Sequence, residues 1–263
     1  MSKLSIITVN VRGLGDSAKR TRVFSQLRRM QHDIIALQET HCPTAADATW
    51  WTRQWGGNAF WTTFDSRSVG VAILVRRDLP CTISDVDTDP AGRFVRLTIS
   101  LTDPHRSFRL TAVYAPNTGP DRVNLFSQLH DDAAAYNDSN DDDLDCIICG
   151  DFNCIVDPTL DKVGGTTGST SSTSLAGSQQ LSAWTSYERT TDAWRLLHPL
   201  SIETTWRQGN VGSRIDRIYV SRHLLAHTHS RCDTWTRWRG LDDQVGPCRA
   251  RSELLEAQLL VAE

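Results

Sequence analysis

Short apolar runs punctuate this chain, and most of them stop on a small polar cluster. Residues 4–9 predict a first strand that ends in the turn Asn10-Val11-Arg12-Gly13-Leu14-Gly15. Asp16 or Ser17 can cap a helix through about Gln31, with Val23, Leu27 and Met30 on one face. Its other face carries Lys19, Arg20, Arg22, Arg28 and Arg29, which read as a solvated stripe. Residues 33–37 predict a second strand, followed at once by Gln38-Glu39-Thr40-His41. Trp50, Trp51, Trp55 and Trp61 come next and are expected to pack on the sheet from a helix or loop. Further strands are predicted over 69–76, 94–101 and 108–114, with turns at 77–80 and 89–92. The last of these runs into Tyr114-Ala115-Pro116-Asn117. Residues 121–136 are helix-like, with Val123, Phe126 and Leu129 on one face.

Cys146 to Cys149 are all apolar, which suits a strand buried on both faces. Gly150 lets the chain turn, and Asp151 and Asn153 leave on the same side because strand periodicity is two. Taken alone, an ordinary turn explains these residues equally well. Residues 164–179, rich in Gly, Ser and Thr, read as a flexible loop, and 181–197 as mainly helix. Residues 204–206 open a strand, 207–213 form a hairpin turn, and 214–220 return. On that return strand Asp216 shares a face with Ile218 and Val220, so its carboxylate needs a partner. A last strand is expected at 248–255, after Asp242-Asp243-Gln244. Strands pair first with helices and later with each other. The order predicts an α/β protein, a four-layer α/β/β/α sandwich of two mixed sheets with helices outside, in one domain over 1–263.

Composition narrows the class. The 263 residues are 39% hydrophobic and 22% charged, which excludes a disordered chain. No apolar run is long enough to span a bilayer, and the first strand turns polar at Thr8 and Asn10, unlike a secretory leader. Seven scattered Cys suggest buried thiols in a reducing compartment. In a strand, Cys146 and Cys149 would face opposite ways, so they read as core and not as half of a redox or zinc site. The net charge of −3 gives no general attraction to nucleic acid, so such binding would need a local basic patch. Arg12, Arg93, Arg207, Arg214, Arg237 and Arg239 are the candidates, with Trp235 and Trp238 able to stack on bases.

The strand ends carry Asn10, Glu39, Tyr114 with Asn117, and Asp151 with Asn153. The sequence contains no nucleophile elbow, zinc spacing, P-loop or dinucleotide fingerprint. Oxygen ligands and amides remain, a set that suits a hard cation such as Mg²⁺ and water-mediated hydrolysis of a phosphate ester.

In order, Thr8-Val9-Asn10, Gln38-Glu39-Thr40-His41, Tyr114-Ala115-Pro116-Asn117, Gly150-Asp151-Phe152-Asn153 and Arg214-Ile215-Asp216-Arg217-Ile218 resemble the endonuclease/exonuclease/phosphatase superfamily. Asn10-Val11-Arg12-Gly13-Leu14, and Trp194-Arg195 before Leu197-His198-Pro199, resemble the endonuclease domains of LINE-type retrotransposons. The resemblance implies a nuclear DNA endonuclease using Mg²⁺ or Mn²⁺. It would nick double-stranded DNA and leave a 3′-hydroxyl for target-primed reverse transcription by a separate reverse transcriptase domain. Glu39 would hold the metal with Asn10 beside it. Asp151 and Asn153 would position the water, and Tyr114 and Asn117 the phosphate. Thr205 and Ser213 match positions near the DNA strand, with Arg12, Arg207 and Arg214 as further contacts. Asp216 would orient a histidine, and Asp243 matches the Asp of a terminal Ser-Asp-His motif. Here that motif reads Asp242-Asp243-Gln244, and the last histidine of the chain is His229. Gln cannot carry a positive charge or move a proton, so activity is expected to be weak. An abasic-site repair endonuclease and a catalytically dead DNA-binding domain are the alternatives.

Overall fold

A computed structural model describes residues 2–64, 68–103, 105–139, 144–164, 172–225, 231–235 and 254–261. The first sheet starts with β1 (Ser2–Asn10), crosses over through helix α1 (Ser17–Met30) and continues in β2 (Ile34–Gln38), parallel to β1. Helix α2 (Ala45–Trp55), β3 (Asn58–Trp61) and β4 (Val71–Val75) follow. The second sheet opens with β5 (Cys81–Thr88), β6 (Phe94–Thr102) and β7 (His105–Tyr114). Helix α3 (Gly119–Ser139) then crosses over to β8 (Asp145–Asp151), parallel to β7. The remaining elements are β9 (Lys162–Val163), α4 (Ser172–Tyr187), β10 (Thr190–Asp192), α5 (Ala193–Leu197), β11 (Trp206–Gln208), β12 (Val211–Ser213), β13 (Asp216–Ser221), α6 (Arg222–Leu225), β14 (Arg231–Trp235) and β15 (Leu254–Val261). Two six-stranded sheets result, in the orders β14-β15-β1-β2-β4-β3 and β10-β13-β8-β7-β6-β5, with a small third sheet β11-β12-β9.

Alternation along the strands divides the apolar residues among three clusters. Leu4, Ile6, Ile34, Ala36, Leu110, Ala112, Ile147 and Cys149 meet between the two large sheets. The outer face of the first sheet, with Ile7, Val9, Ile35 and Leu37, packs under Phe24 and Leu27 of α1 and under Trp51 and Trp55. The outer face of the second, with Val113 and Ile148, packs under Phe126 of α3 and Trp184 of α4. This is the four-layer α/β/β/α sandwich. Strands buried on both faces explain the continuous apolar runs.

Helix α1 is capped as its sequence predicts: the Asp16 side chain accepts from the Lys19 N–H at 2.6 Å. Its basic stripe is not simply solvated. Arg20 is buried, lies 4.8 Å over the Trp51 ring, and donates to Gln54 Oε1 and the Leu14 carbonyl. The tryptophans split: Trp51, Trp55 and Trp61 are buried, while Trp50 is exposed.

Three expectations need correction. The predicted loop over 164–179 is helical from Ser172 onward, because Leu181 and Trp184 are buried against α3 and packing overrides weak local propensity. The predicted helix over 181–197 breaks after Tyr187, where Arg189 turns with φ of 52° and sends the chain into edge strand β10. The last strand, predicted over 248–255, continues to Val261, and residues 248–253 lie outside the described residues. Strand β5 was not predicted, since its mostly exposed Cys81–Thr88 run lacks an apolar stripe.

Candidate active site

Each large sheet brings the C-terminal end of a parallel strand pair to one shared mouth. Along β1, period two places Leu4, Ile6, Thr8 and Asn10 on the face toward the second sheet. The polarity rises toward the strand end: Thr8 Oγ1 donates to Gln38 Oε1 at 3.1 Å inside the core, and Asn10 lies at the mouth. The same alternation on the other sheet ends β7 in Tyr114 and β8 in Asp151, paired in register. Strand β13 begins with Asp216 directly opposite Asp151.

The side chains meet. Asn10 Nδ2 donates to Glu39 Oε1 at 2.8 Å and to Asp151 Oδ2 at 3.4 Å. The Tyr114 hydroxyl donates to the same Glu39 oxygen at 3.1 Å. Asp151 Oδ1 accepts from the Asn153 backbone N–H at 2.9 Å, and Asn153 Nδ2 donates to the Ala115 carbonyl at 2.7 Å. Four residues here, Arg12, Glu39, His41 and Asn153, have φ between 47° and 53°. Non-glycine residues seldom adopt this left-handed backbone, and those that do cluster at functional sites.

The electrostatics follow from burial. Asp151 is pushed up to about 7, first by burial and further by the Glu39 charge, against the Asn153 N–H and the Asn10 amide. Burial, with the Glu39 and Asp151 carboxylates, raises the Tyr114 phenol, so it stays protonated and donates. Burial pushes the His41 imidazole down.

Among the described residues, no three His, Cys, Asp or Glu side chains form a metal cage. The donor set nevertheless fits Mg²⁺. That ion is held by one or two carboxylates and keeps several waters. Glu39 and Asp151, joined through Asn10, are two oxygen donors in a mouth where their mutual repulsion already raises one pKa.

Of the residues the sequence singles out, Asn10, Glu39, Tyr114, Asp151 and Asn153 are linked by hydrogen bonds, and Asp216 lies opposite Asp151 in strand register. Asn117 is exposed, and its carbonyl accepts from Arg122 at 2.8 Å. Arg207 is exposed on β11 with Nε donating to Thr204 Oγ1, and Ser213 lies half-buried on β12. Arg12 is half-buried, and its carbonyl accepts from Lys19 Nζ at 2.7 Å. Two assigned DNA contacts are turned inward instead. Arg214 is 1% exposed, with Nε on Asp161 at 2.8 Å and Nη2 on Asp192 at 2.7 Å. Thr205 is buried, and its hydroxyl accepts the backbone N–H groups of Ile215 and Asp216, both at 3.0 Å. Arg93, another candidate, stacks 5.3 Å over the Tyr114 ring. Arg237, Trp238, Arg239, Asp242, Asp243 and Gln244 lie outside the described residues, as does the side chain of Trp235.

Two groups were missed. His41 follows Glu39 by two residues, a spacing that could have marked it. Asp161 is fully buried and binds Arg195, Arg214 and Arg217 at 2.7, 2.8 and 2.9 Å. Nothing in its local sequence signals that role.

The chain matches the endonuclease/exonuclease/phosphatase family over residues 7–236. It belongs to this family. It is 32% identical over 231 residues to the Transposon TX1 uncharacterized 149 kDa protein of Xenopus laevis, a match that covers 86% of this chain and 17% of that relative. Among solved structures, this family member is similar to AP endonuclease LMAP from Leishmania major, with a TM-score of 0.71 and 17% identity, covering 99% of this chain and 88% of that one. An AP endonuclease from Archaeoglobus fulgidus also gives 0.71 and 17%, covering 98% and 100%. At that identity the two structures speak for a shared fold. No helix among the described residues is long and apolar enough to cross a membrane.

Proposed function

We propose that this chain is the endonuclease domain of a LINE-type retrotransposon, nicking double-stranded DNA with the help of Mg²⁺ or Mn²⁺. One observation carries the reading: the Asn10 amide bridges Glu39 and Asp151 across the two sheets, with Tyr114 on the same carboxylate. Likeness to a transposon protein of which the chain spans 17% supports a larger parent protein. A reverse transcriptase domain as partner and the nucleus as place of work follow from the proposal itself.

Glu39 and Asn10 would hold the metal, which supplies positive charge for the phosphate in flight. Asp151 accepts the proton of the attacking water, and a carboxylate with a pKa near 7 suits that task at neutral pH. Asn153, fixed through Ala115, keeps its second amide hydrogen for water or phosphate. The Tyr114 O–H, which donates to Glu39 in this structure, would turn to a phosphate oxygen, and Asn117 would donate to another. The new P–O bond forms as the bond to the 3′ oxygen breaks, leaving a 5′-phosphate and, after protonation, a 3′-hydroxyl. Asp216, with Asp243 and Gln244, would serve the leaving side, where Gln244 has no proton to give. Arg12, Arg207 and Ser213 would face the DNA.

The test is nicking of supercoiled plasmid with Mg²⁺, with chelator, and by Asp151→Ala. Cutting that needs metal and disappears in the variant supports the mechanism. Cutting that survives chelator or the variant sinks it, and strong preference for an abasic duplex would favour a repair enzyme.

A further inference from the structure

The turn after β2 is held in a conformation its residues do not favour. Glu39 and His41 both have φ of 53°, on either side of Thr40. Five backbone hydrogen bonds fix the segment: Val11 N–H to the Gln38 carbonyl, Gly13 N–H to Glu39, Leu14 N–H to Thr40, Thr40 N–H to Gly70 and His41 N–H to Val69. Strain persists where the surroundings over-determine it, and it concentrates where a side chain must be aimed.

What this turn aims is the His41 ring. A Cβ at Gly13 would sit 2.7 Å from His41 Nδ1, so the ring lies against a backbone with no room for a side chain. The other ring nitrogen, Nε2, is buried without a hydrogen-bond partner and lies 3.9 Å from Glu39 Oε2. Glu39 Oε1 already accepts from Asn10 and Tyr114. A buried polar atom without a partner calls for a reason.

We propose that His41 is a positioning residue for Glu39. Its Nε2–H faces the second carboxylate oxygen while Asn10 and Tyr114 hold the first, so the carboxylate is presented to a divalent cation in one orientation. The inference rests on the reading of Glu39 as a metal-holding residue. It adds the group that aims it.

Two near-isosteric variants separate the donor from the ring. His41→Phe keeps a ring without an N–H, and His41→Gln keeps an N–H without a ring. Binding of Mn²⁺ alone, followed by the electron paramagnetic resonance signal of the free ion, is the readout, with metal-free thermal melts beside it. Loss of a group that orients a metal ligand typically weakens affinity about 10–100-fold. His41→Phe should show that loss with its melting temperature kept, and His41→Gln should bind nearly as the wild type. Wild-type affinity in His41→Phe overturns the proposal, as does equal weakening in both variants. A wild-type protein that does not bind Mn²⁺ at all would instead overturn the reading of Glu39 itself.

Discussion

The amide of Asn10 lies 3.4 Å from the carboxylate of Asp151, 141 residues later in the chain and in the other sheet. Two sheets that meet mainly through apolar side chains are joined at the mouth by this contact and by the Tyr114–Glu39 hydrogen bond. The contact has an electrostatic consequence, because a donor to a carboxylate favours its charged form. Asn10→Ala removes the bond to Asp151 and the one to Glu39. Nicking should fall about 10–100-fold, the scale for groups that orient metal-site ligands. The pH at which activity rises should move upward, since Asp151 loses a group that lowers its pKa. A rate–pH profile of both proteins checks this, and an unshifted profile would contradict it.

Asp151 should also make the metal-free protein less stable at neutral pH. Its native pKa of about 7 lies above the unfolded value near 3.9, so the native state favours the protonated form. Its contribution is therefore fully present below about pH 4 and lost as pH rises through about 7, a difference on the order of a few kcal/mol. Asp151→Asn, neutral at every pH, should melt higher than wild type at about pH 8 in chelator and close to it at about pH 4. Added Mg²⁺ should stabilise the wild type more than the variant. Such a gain in stability with loss of activity marks a carboxylate kept for chemistry.

Local pattern made the strand ends legible. Asn10, Glu39, Tyr114 and Asp151 each follow an apolar run, and a polar residue at the end of a buried strand can be placed without knowing the partner strand. What stayed hidden depends on contacts between distant segments. Arg214 sits in the hairpin return beside Asp216 and reads as a DNA contact, yet its guanidinium is held by Asp161 and Asp192. Arg20 reads as solvated until Trp51 covers it. An arginine's address depends on which acid or ring the fold brings to it, and charge patterning does not record that. The helix from Ser172 was hidden for a related reason: its Ser-, Thr- and Gly-rich start gains its order from Leu181 and Trp184 further on.

Asp161 ties the hairpin base to the second sheet. Its carboxylate takes Arg195 and Arg214 on one oxygen and Arg217 on the other, while Asp192 takes a second arm of Arg214. Burial would raise its pKa, but Arg217 and Arg214 outweigh that and hold it well below the usual carboxylate range. Asp161→Asn leaves buried guanidinium charge short of a partner, which costs about 3–5 kcal/mol. In a domain of this size that is a fall in melting temperature of roughly 10 °C. The sign with pH is opposite to that for Asp151. A depressed native pKa contributes stability above the unfolded value near 3.9 and loses it as pH falls further. The gap between wild type and variant should therefore narrow below about pH 4 in thermal melts. A gap that stays constant into acid would mean that Asp161 acts through packing and not through its charge.

Gln244 stands where the family resemblance places a histidine, and the expected defect is specific. In the proposed mechanism the water side rests on Asp151 and Asn153, both present where β8 ends and joined by a hydrogen bond. A glutamine at the terminal motif can donate a hydrogen bond but cannot carry the charge or the proton of an imidazolium. Gln244→His should therefore raise the rate constant for nicking by as much as about 10²–10⁴, the usual worth of a general acid or base. The gain should appear with little change in the Mg²⁺ concentration needed, because the proposed mechanism gives the metal to Glu39 and Asn10 and not to Gln244. It should vanish when combined with Asp151→Ala, since a restored leaving side is useless without activated water. Single-turnover nicking across a Mg²⁺ series, for wild type, Gln244→His and the double variant, measures all three effects. A rate unchanged by Gln244→His would show that the limitation lies elsewhere in the chain, and a rise that persists without Asp151 would remove Asp151 from the mechanism.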